Sequence, residues 1–250
     1  MRHLTWYTPA LYGFLAIIVL QYSGADTWLA SQIYNLNQGW NWRDSWLLEK
    51  VLHKSGRTLV GVWLVGLLIF IVISFNSNWF GKTQRIALLY AFSASLMSIL
   101  LISGLKQITM LPCPWDVKGF GGTQAYLYLH QLFSSREAGP QCFPAGHASG
   151  GYALFSMYFC LKIWFADKAK TPSFYWLIPA LLVGGLFGIA QQLRGAHFLS
   201  HDLTTALLCW YSCLGLWLGF NRLFSLVETG SKHIQPSKLS SFKTLNWLGR

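Results

Sequence analysis

The stretch RGAHFLSHDL, Arg194 to Leu203, sets an arginine, two histidines and an aspartate between two long apolar runs. Two other clusters hold most of the remaining chemistry: LKQITMLPCPWD, with Lys106, and CFPAGHASGG, with His147. Two imidazoles divide the work of nucleophile and general acid well, because each titrates near neutral pH. A carboxylate orients one imidazole and steadies its charged form. Lysine and arginine hold an anion such as phosphate and stabilise charge as it develops. Gly146 lets backbone come close, and a helix starting there offers unpaired N–H groups to the same anion. His197 and His201 are four residues apart, but no glutamate completes a zinc-protease helix and no Cys/His spacing suits zinc. No metal and no cofactor is therefore expected.

Elements that position these clusters are legible from composition. The chain is 53% hydrophobic and only 11% charged, against about 25% charged in a soluble domain. That is too little charge to cover a water-facing surface. Thirteen Trp and eleven Tyr suit two membrane–water interfaces. The expected class is an all-α, polytopic membrane helix bundle. Six apolar runs, near 6–23, 58–75, 86–105, 147–165, 174–193 and 203–221, approach the ~20 residues a bilayer requires. The first is read as a retained helix rather than a removed signal.

The net charge of +11 follows from basic residues in cytoplasmic loops and calls for no nucleic acid. With both termini cytoplasmic, Lys and Arg divide eleven inside to eight outside, the bias expected of that orientation. All three clusters then meet the outer face. Two outer segments are long: 24–57, rich in Trp and expected to hold an interfacial helix, and 106–146, rich in Gly and Pro, of a length that is usually functional. Residues 226–250 read as a basic cytoplasmic tail behind one domain spanning 1–225. His53, His130 and His233 read as interface anchors. Gly184, Gly185 and Gly188 read as helix-packing positions.

FPAGHASGGYALF and GAHFLSHDL, following Lys106 and Pro114 in this order, resemble the type 2 phosphatidic acid phosphatase (PAP2) superfamily over roughly residues 60–220. That resemblance implies a metal-independent membrane phosphatase whose site faces the periplasm of a bacterial inner membrane. Its substrate would be a phospholipid, a polyprenyl diphosphate or a lipid A type molecule. It also implies roles: His197 as nucleophile, His147 as the acid for the leaving oxygen, and Lys106, Arg194 and the Gly146 backbone as the phosphate cradle, with Ala145 beside them.

This chain departs from the family pattern at four places. Cys113 precedes Pro114 where the family carries arginine, and Ala145 stands for the usual serine. Counting six back from His197 gives Gln191 rather than arginine, with Arg194 one helical turn later on the same face. Four residues after His197 comes His201 rather than aspartate, with Asp202 next. Two registers follow. In the preferred one His197 attacks, oriented by Asp202 or His201; in the other His201 attacks, seven residues after Arg194. Cys113 and Cys142 bracket the outer loop, where a disulfide is permitted. Joining them would contribute about 3–4 kcal/mol and tie the first cluster to the second. Cys160, Cys209 and Cys213 read as packing residues in spans.

Overall fold

The computed structural model describes residues 4–132, 140–165 and 174–234. Helix α1 (Leu4–Tyr22) leads through a bend of 64° into α2 (Ala25–Leu36). The bend sits at Gly24, whose φ of 78° is a left-handed value that glycine adopts without strain. A π-helical stretch, Trp46–Ser55, continues into α3 (Gly56–Asn76), and α4 (Lys82–Ile108) returns across the bundle. Then come α5 (Gly146–Tyr152), α6 (Phe155–Trp164), α7 (Ile178–Leu193) and α8 (Leu199–Ile234). Among the described residues there is no β-strand, only an isolated parallel bridge between Val117 and Gln124.

Four helical segments are long and apolar enough to cross a membrane: Trp46–Asn76, Lys82–Ile108, Phe174–Leu193 and Leu199–Arg222; the bent α1–α2 pair makes a fifth. The run expected to span as one helix near 147–165 is divided instead. Its chain is helical over Gly146–Tyr152 and again over Phe155–Trp164, with the break at Ala153 and Leu154. Neither half reaches the ~20 residues of a complete crossing. Gly150 and Gly151 lower the helical preference just before the break. α8 passes through the start of the basic tail as far as Ile234, whereas 235–250, with most of that tail, lies outside the described residues.

Glycine sets how closely the central helices approach. A Cβ on Gly151 would stand 2.3 Å from the backbone nitrogen of Gly184, so α5 and α7 touch main chain to main chain. Small residues are how helices gain such contact without a hydrophobic drive between them. Gly188 is closed in the same way by the Asp202 carboxyl, 2.8 Å from its would-be Cβ, while Gly185 faces open space. At the opposite end, Trp6 of α1 stacks among Phe159, Trp210 and Trp217, and its carbonyl accepts a hydrogen bond from Tyr211. The buried core runs from Ala87, Tyr90 and Ala94 of α4 through Phe155 and Phe159 of α6 to Cys209 and Cys213 of α8. Those cysteines and Cys160 are buried and unpaired, in keeping with a packing role.

A smaller core caps the end of the bundle away from Trp6: Ala30, Val117, Phe120 and Phe198, with Tyr34, Trp40 and Tyr126 against it. It joins the two long segments 24–57 and 106–146 to the chain between α7 and α8. Asn37, just past α2, donates from its side chain to the Leu193 carbonyl at 3.1 Å, satisfying one acceptor left over at the end of α7. Asp26 works at the other side of the same loop. Its Oδ1 accepts from the Ser200 N–H at 3.0 Å, capping the first turn of α8.

Candidate active site

The ends of α4 and α7 and the starts of α5 and α8 meet at one end of the bundle, where a disulfide links Cys113 to Cys142 with Cα atoms 5.2 Å apart. The bridge expected from the two loop positions is therefore present. It binds the chain leaving α4 to the chain entering α5, and the Cys142 N–H adds a hydrogen bond to the Leu111 carbonyl at 3.1 Å. Thr109 donates from its hydroxyl to the neighbouring Phe143 carbonyl. These ties hold the irregular segment ahead of His147 in place.

His197 lies in the short turn between α7 and α8 and is 5% exposed. Its Nδ1 is 2.7 Å from the Cys142 carbonyl oxygen. A carbonyl only accepts, so Nδ1 carries the hydrogen and Nε2 keeps its lone pair. Burial, and after it the nearby charge of Lys106, hold the imidazole well below its usual pKa of 6.5, keeping it neutral. His201 reaches the same carbonyl through its own Nδ1 at 3.0 Å, its ring 6.0 Å from that of His197. It is packed edge-on by Phe143 and Phe198.

The Nδ1 partner of His197 is thus a peptide carbonyl, where the sequence pointed to Asp202 or His201. Asp202 turns the other way. Its Oδ2 accepts from the Gln192 amide at 2.5 Å, and its Oδ1 is buried without a partner among the described residues. His197 precedes α8, which starts at Leu199, while Asp202 lies inside that helix and faces α7, its carboxyl set against Gly188 and Gln192.

Lys106 ends α4 with its ammonium over Gly146, 3.6 Å from where a Cβ would be. His147 follows, on the first turn of α5. Its Nε2 donates to the Leu52 carbonyl at 2.8 Å, so Nδ1 is the nitrogen left for other partners. The ring lies against Phe187 and, at 4.9 Å between centroids, against His53. Ala145 is wholly buried at the helix N-cap, where it makes no side-chain cap.

Arg194 is buried and held on three sides. Its Nε donates to the Arg43 carbonyl at 2.6 Å, Nη1 to Gln191 Oε1 at 3.2 Å, and Nη2 pairs with Glu49 Oε2 at 2.5 Å. The contact with Gln191 puts both on one face, as their spacing predicts. Glu49 also pairs with Lys54 at 3.0 Å and with His53 at 3.3 Å. The π-helical stretch therefore ties Arg194 to His147 through Glu49 and His53. Sequence reasoning took His53 for an interface anchor and passed over Glu49. The available signal was their i, i+4 spacing in a tryptophan-rich outer segment.

Gly195 has a φ of 77°, and any side chain there would strike the Trp40 indole at 2.5 Å. Its carbonyl accepts from the Trp115 N–H at 3.1 Å. A cavity of about 10 Å³ lies beside His197, lined by Asp26, Pro114, Gln192 and Phe198 among others; that is room for one water. The one metal-type grouping among the described residues, Cys113, Asp116 and Cys142, has both sulfurs joined to each other. Lys118 stays in the loop between α4 and α5, its N–H bonded to the Gln124 carbonyl at 2.7 Å.

Apolar helices that carry imidazole, lysine and arginine together at one rim define a membrane protein with a polar site at the end of its bundle. The PAP2 superfamily model matches residues 87–225, more than half of the chain, and the chain belongs to that superfamily. Its members are generally phosphatases of phosphate esters, often of lipids. No curated protein and no solved structure matches the chain. The match begins within α4, so Asp26, Glu49 and His53 stand outside it.

Proposed function

We propose that the protein is an integral membrane lipid phosphatase that hydrolyses a phosphate monoester or diphosphate through a phosphohistidine on His197. Six crossings, counting α5 with α6 as one and the α1–α2 pair as another, put both termini in the cytoplasm and the site at the periplasmic face of a bacterial inner membrane. Residues 1–225 form the one catalytic domain. A phospholipid, a polyprenyl diphosphate or a lipid A type molecule fits a site at the rim, where a head group lies.

The observation that carries this reading is the Nδ1 contact of His197 with the Cys142 carbonyl, which leaves Nε2 as the basic nitrogen. Nε2 attacks phosphorus, an N–P bond forms, and the bond to the leaving oxygen breaks. His147, carrying a second proton on Nδ1 when the anionic substrate is bound, gives that proton to the leaving oxygen. Water then attacks phosphorus, the N–P bond breaks, and the water's proton returns to His147. Lys106 and the guanidinium hydrogens of Arg194 not used by Glu49, Gln191 and Arg43 stabilise the phosphoryl oxygens.

The test is phosphate release from a panel of lipid phosphates by purified protein, with acid-labile phosphohistidine trapped in parallel. Loss of both in His197→Ala, and loss of turnover in His147→Ala, is the expected result. Full activity in either variant overturns these roles. Label passing to a second lipid rather than to water makes the protein a phosphotransferase. A protein that binds head groups and forms no phosphohistidine is a binding member, the reading favoured by Cys113 and Ala145 in place of arginine and serine.

A further inference from the structure

We infer that the Cys113–Cys142 disulfide is a positioning element for His197: it fixes the Cys142 carbonyl that sets which nitrogen of the nucleophile is free. The inference rests on the phosphatase reading. A nucleophilic imidazole needs an acceptor on its second N–H to hold tautomer and ring angle, and a carboxylate usually serves. The nearest candidate in the chain, Asp202, is bonded to Gln192, and the Cys142 carbonyl takes the place at 2.7 Å.

A carbonyl serves only if its peptide is held still, and this one lies outside regular structure, just ahead of α5. Three tethers act on it or on the residue beside it: the disulfide to Cys113, the bond from its own N–H to Leu111, and the Thr109 bond to the Phe143 carbonyl. His201 completes the arrangement as a second donor to the same oxygen, 3.0 Å away. A carbonyl oxygen has two lone pairs, so both imidazoles bond without competing, and the oxygen is pinned between them. Cys113 stands where the family pattern carries arginine. That position thus holds the nucleophile's partner rather than the phosphate.

A disulfide that merely staples a loop would change stability and leave the imidazole as it is. The positioning role predicts more. The double variant Cys113→Ala with Cys142→Ala keeps every backbone carbonyl but frees the peptide. A reacting group misplaced by about 1 Å loses on the order of 10²-fold in rate, so kcat for a dispersed short-chain phosphatidate is expected to fall by that factor. KM should change little, because Lys106 and Arg194 are untouched. Nitrogen-15 NMR of histidine-labelled parent protein should show His197 protonated at Nδ1, and in the variant a mixture of both tautomers.

A folded variant that turns over at the parental rate overturns the inference, as does a parent His197 that carries its proton on Nε2. The second measurement decides the matter even if the variant does not fold. Phosphohistidine trapping on the parent separates the two levels. If none forms, the phosphatase reading fails; if it forms at the same rate in parent and variant, the positioning role fails alone.

Discussion

The contact between Gly151 and Gly184 makes the arrangement of the site depend on a missing side chain. In Gly151→Ala the new Cβ would lie 2.3 Å from the Gly184 nitrogen and 2.4 Å from its Cα, where ordinary contact starts at 3.4 Å, so α5 and α7 must part by about 1.1 Å. Both obstructing atoms are backbone, and no rotamer relieves them. Overpacking of this kind costs about 1–3 kcal/mol. The functional cost is larger. α5 carries Gly146 and His147, while α7 leads into Arg194 and His197, so separating the helices separates the two histidines to which the proposed function assigns acid and nucleophile. A displacement near 1 Å lowers turnover on the order of 10²-fold.

Gly185→Ala supplies the opposite sign on the same helix. Nothing lies within 4 Å of its would-be Cβ, and alanine favours a helix over glycine by up to about 1 kcal/mol. Thermal unfolding in detergent micelles, with phosphate release measured on the same samples, reads both effects. Should Gly151→Ala melt with the parent and keep turnover within about twofold of it, the main-chain contact does not govern the site.

Other perturbations separate the groups around Arg194 and His197. Glu49→Ala leaves the buried Arg194 guanidinium without its counter-charge; Glu49 itself is 17% exposed, so the loss is that of a charge-assisted hydrogen bond, about 1.5–3 kcal/mol. Lys54→Ala removes a side chain that is 61% exposed and is expected to cost at most about 1 kcal/mol; equal melting shifts would refute the distinction. The imidazole of His197 is held below its ordinary pKa, so the unfolded chain gains a proton near 6.5 that the folded chain refuses. Its contribution to stability is therefore complete above pH ~6.5 and declines as pH falls further. His197→Asn should lose less stability than the parent between about pH 7 and 5, and parallel curves would count against this.

Much of the architecture was legible because it rests on strong physical signals. Apolar runs near bilayer length located α3, α4, α7 and α8, and scarce charge pointed to the membrane. Cys113 and Cys142 were readable as partners from their places at the two ends of one outer loop. The run near 147–165 reads as one span, and its interruption at Ala153 and Leu154 is a detail hydropathy does not register. The partner of His197 escaped because it is a peptide carbonyl: every residue has one, and no side-chain pattern marks it. Glu49 and His53 escaped for a related reason. Their role arises only when the stretch Trp46–Ser55 folds back over α7, a tertiary event that local periodicity does not encode. Asp202 was named for the site from its neighbours in sequence, and helix phase then turned it toward Gln192.

The turn that carries His197 is walled in by the Trp40 indole at Gly195, the Trp115 amide and the capping carboxylate of Asp26. These contacts fix the shape of the turn before any ligand arrives. Preorganisation of that kind lowers the entropic cost of association. The phosphate ester of the proposed reaction then meets a surface already formed, and what has to adapt is the substrate.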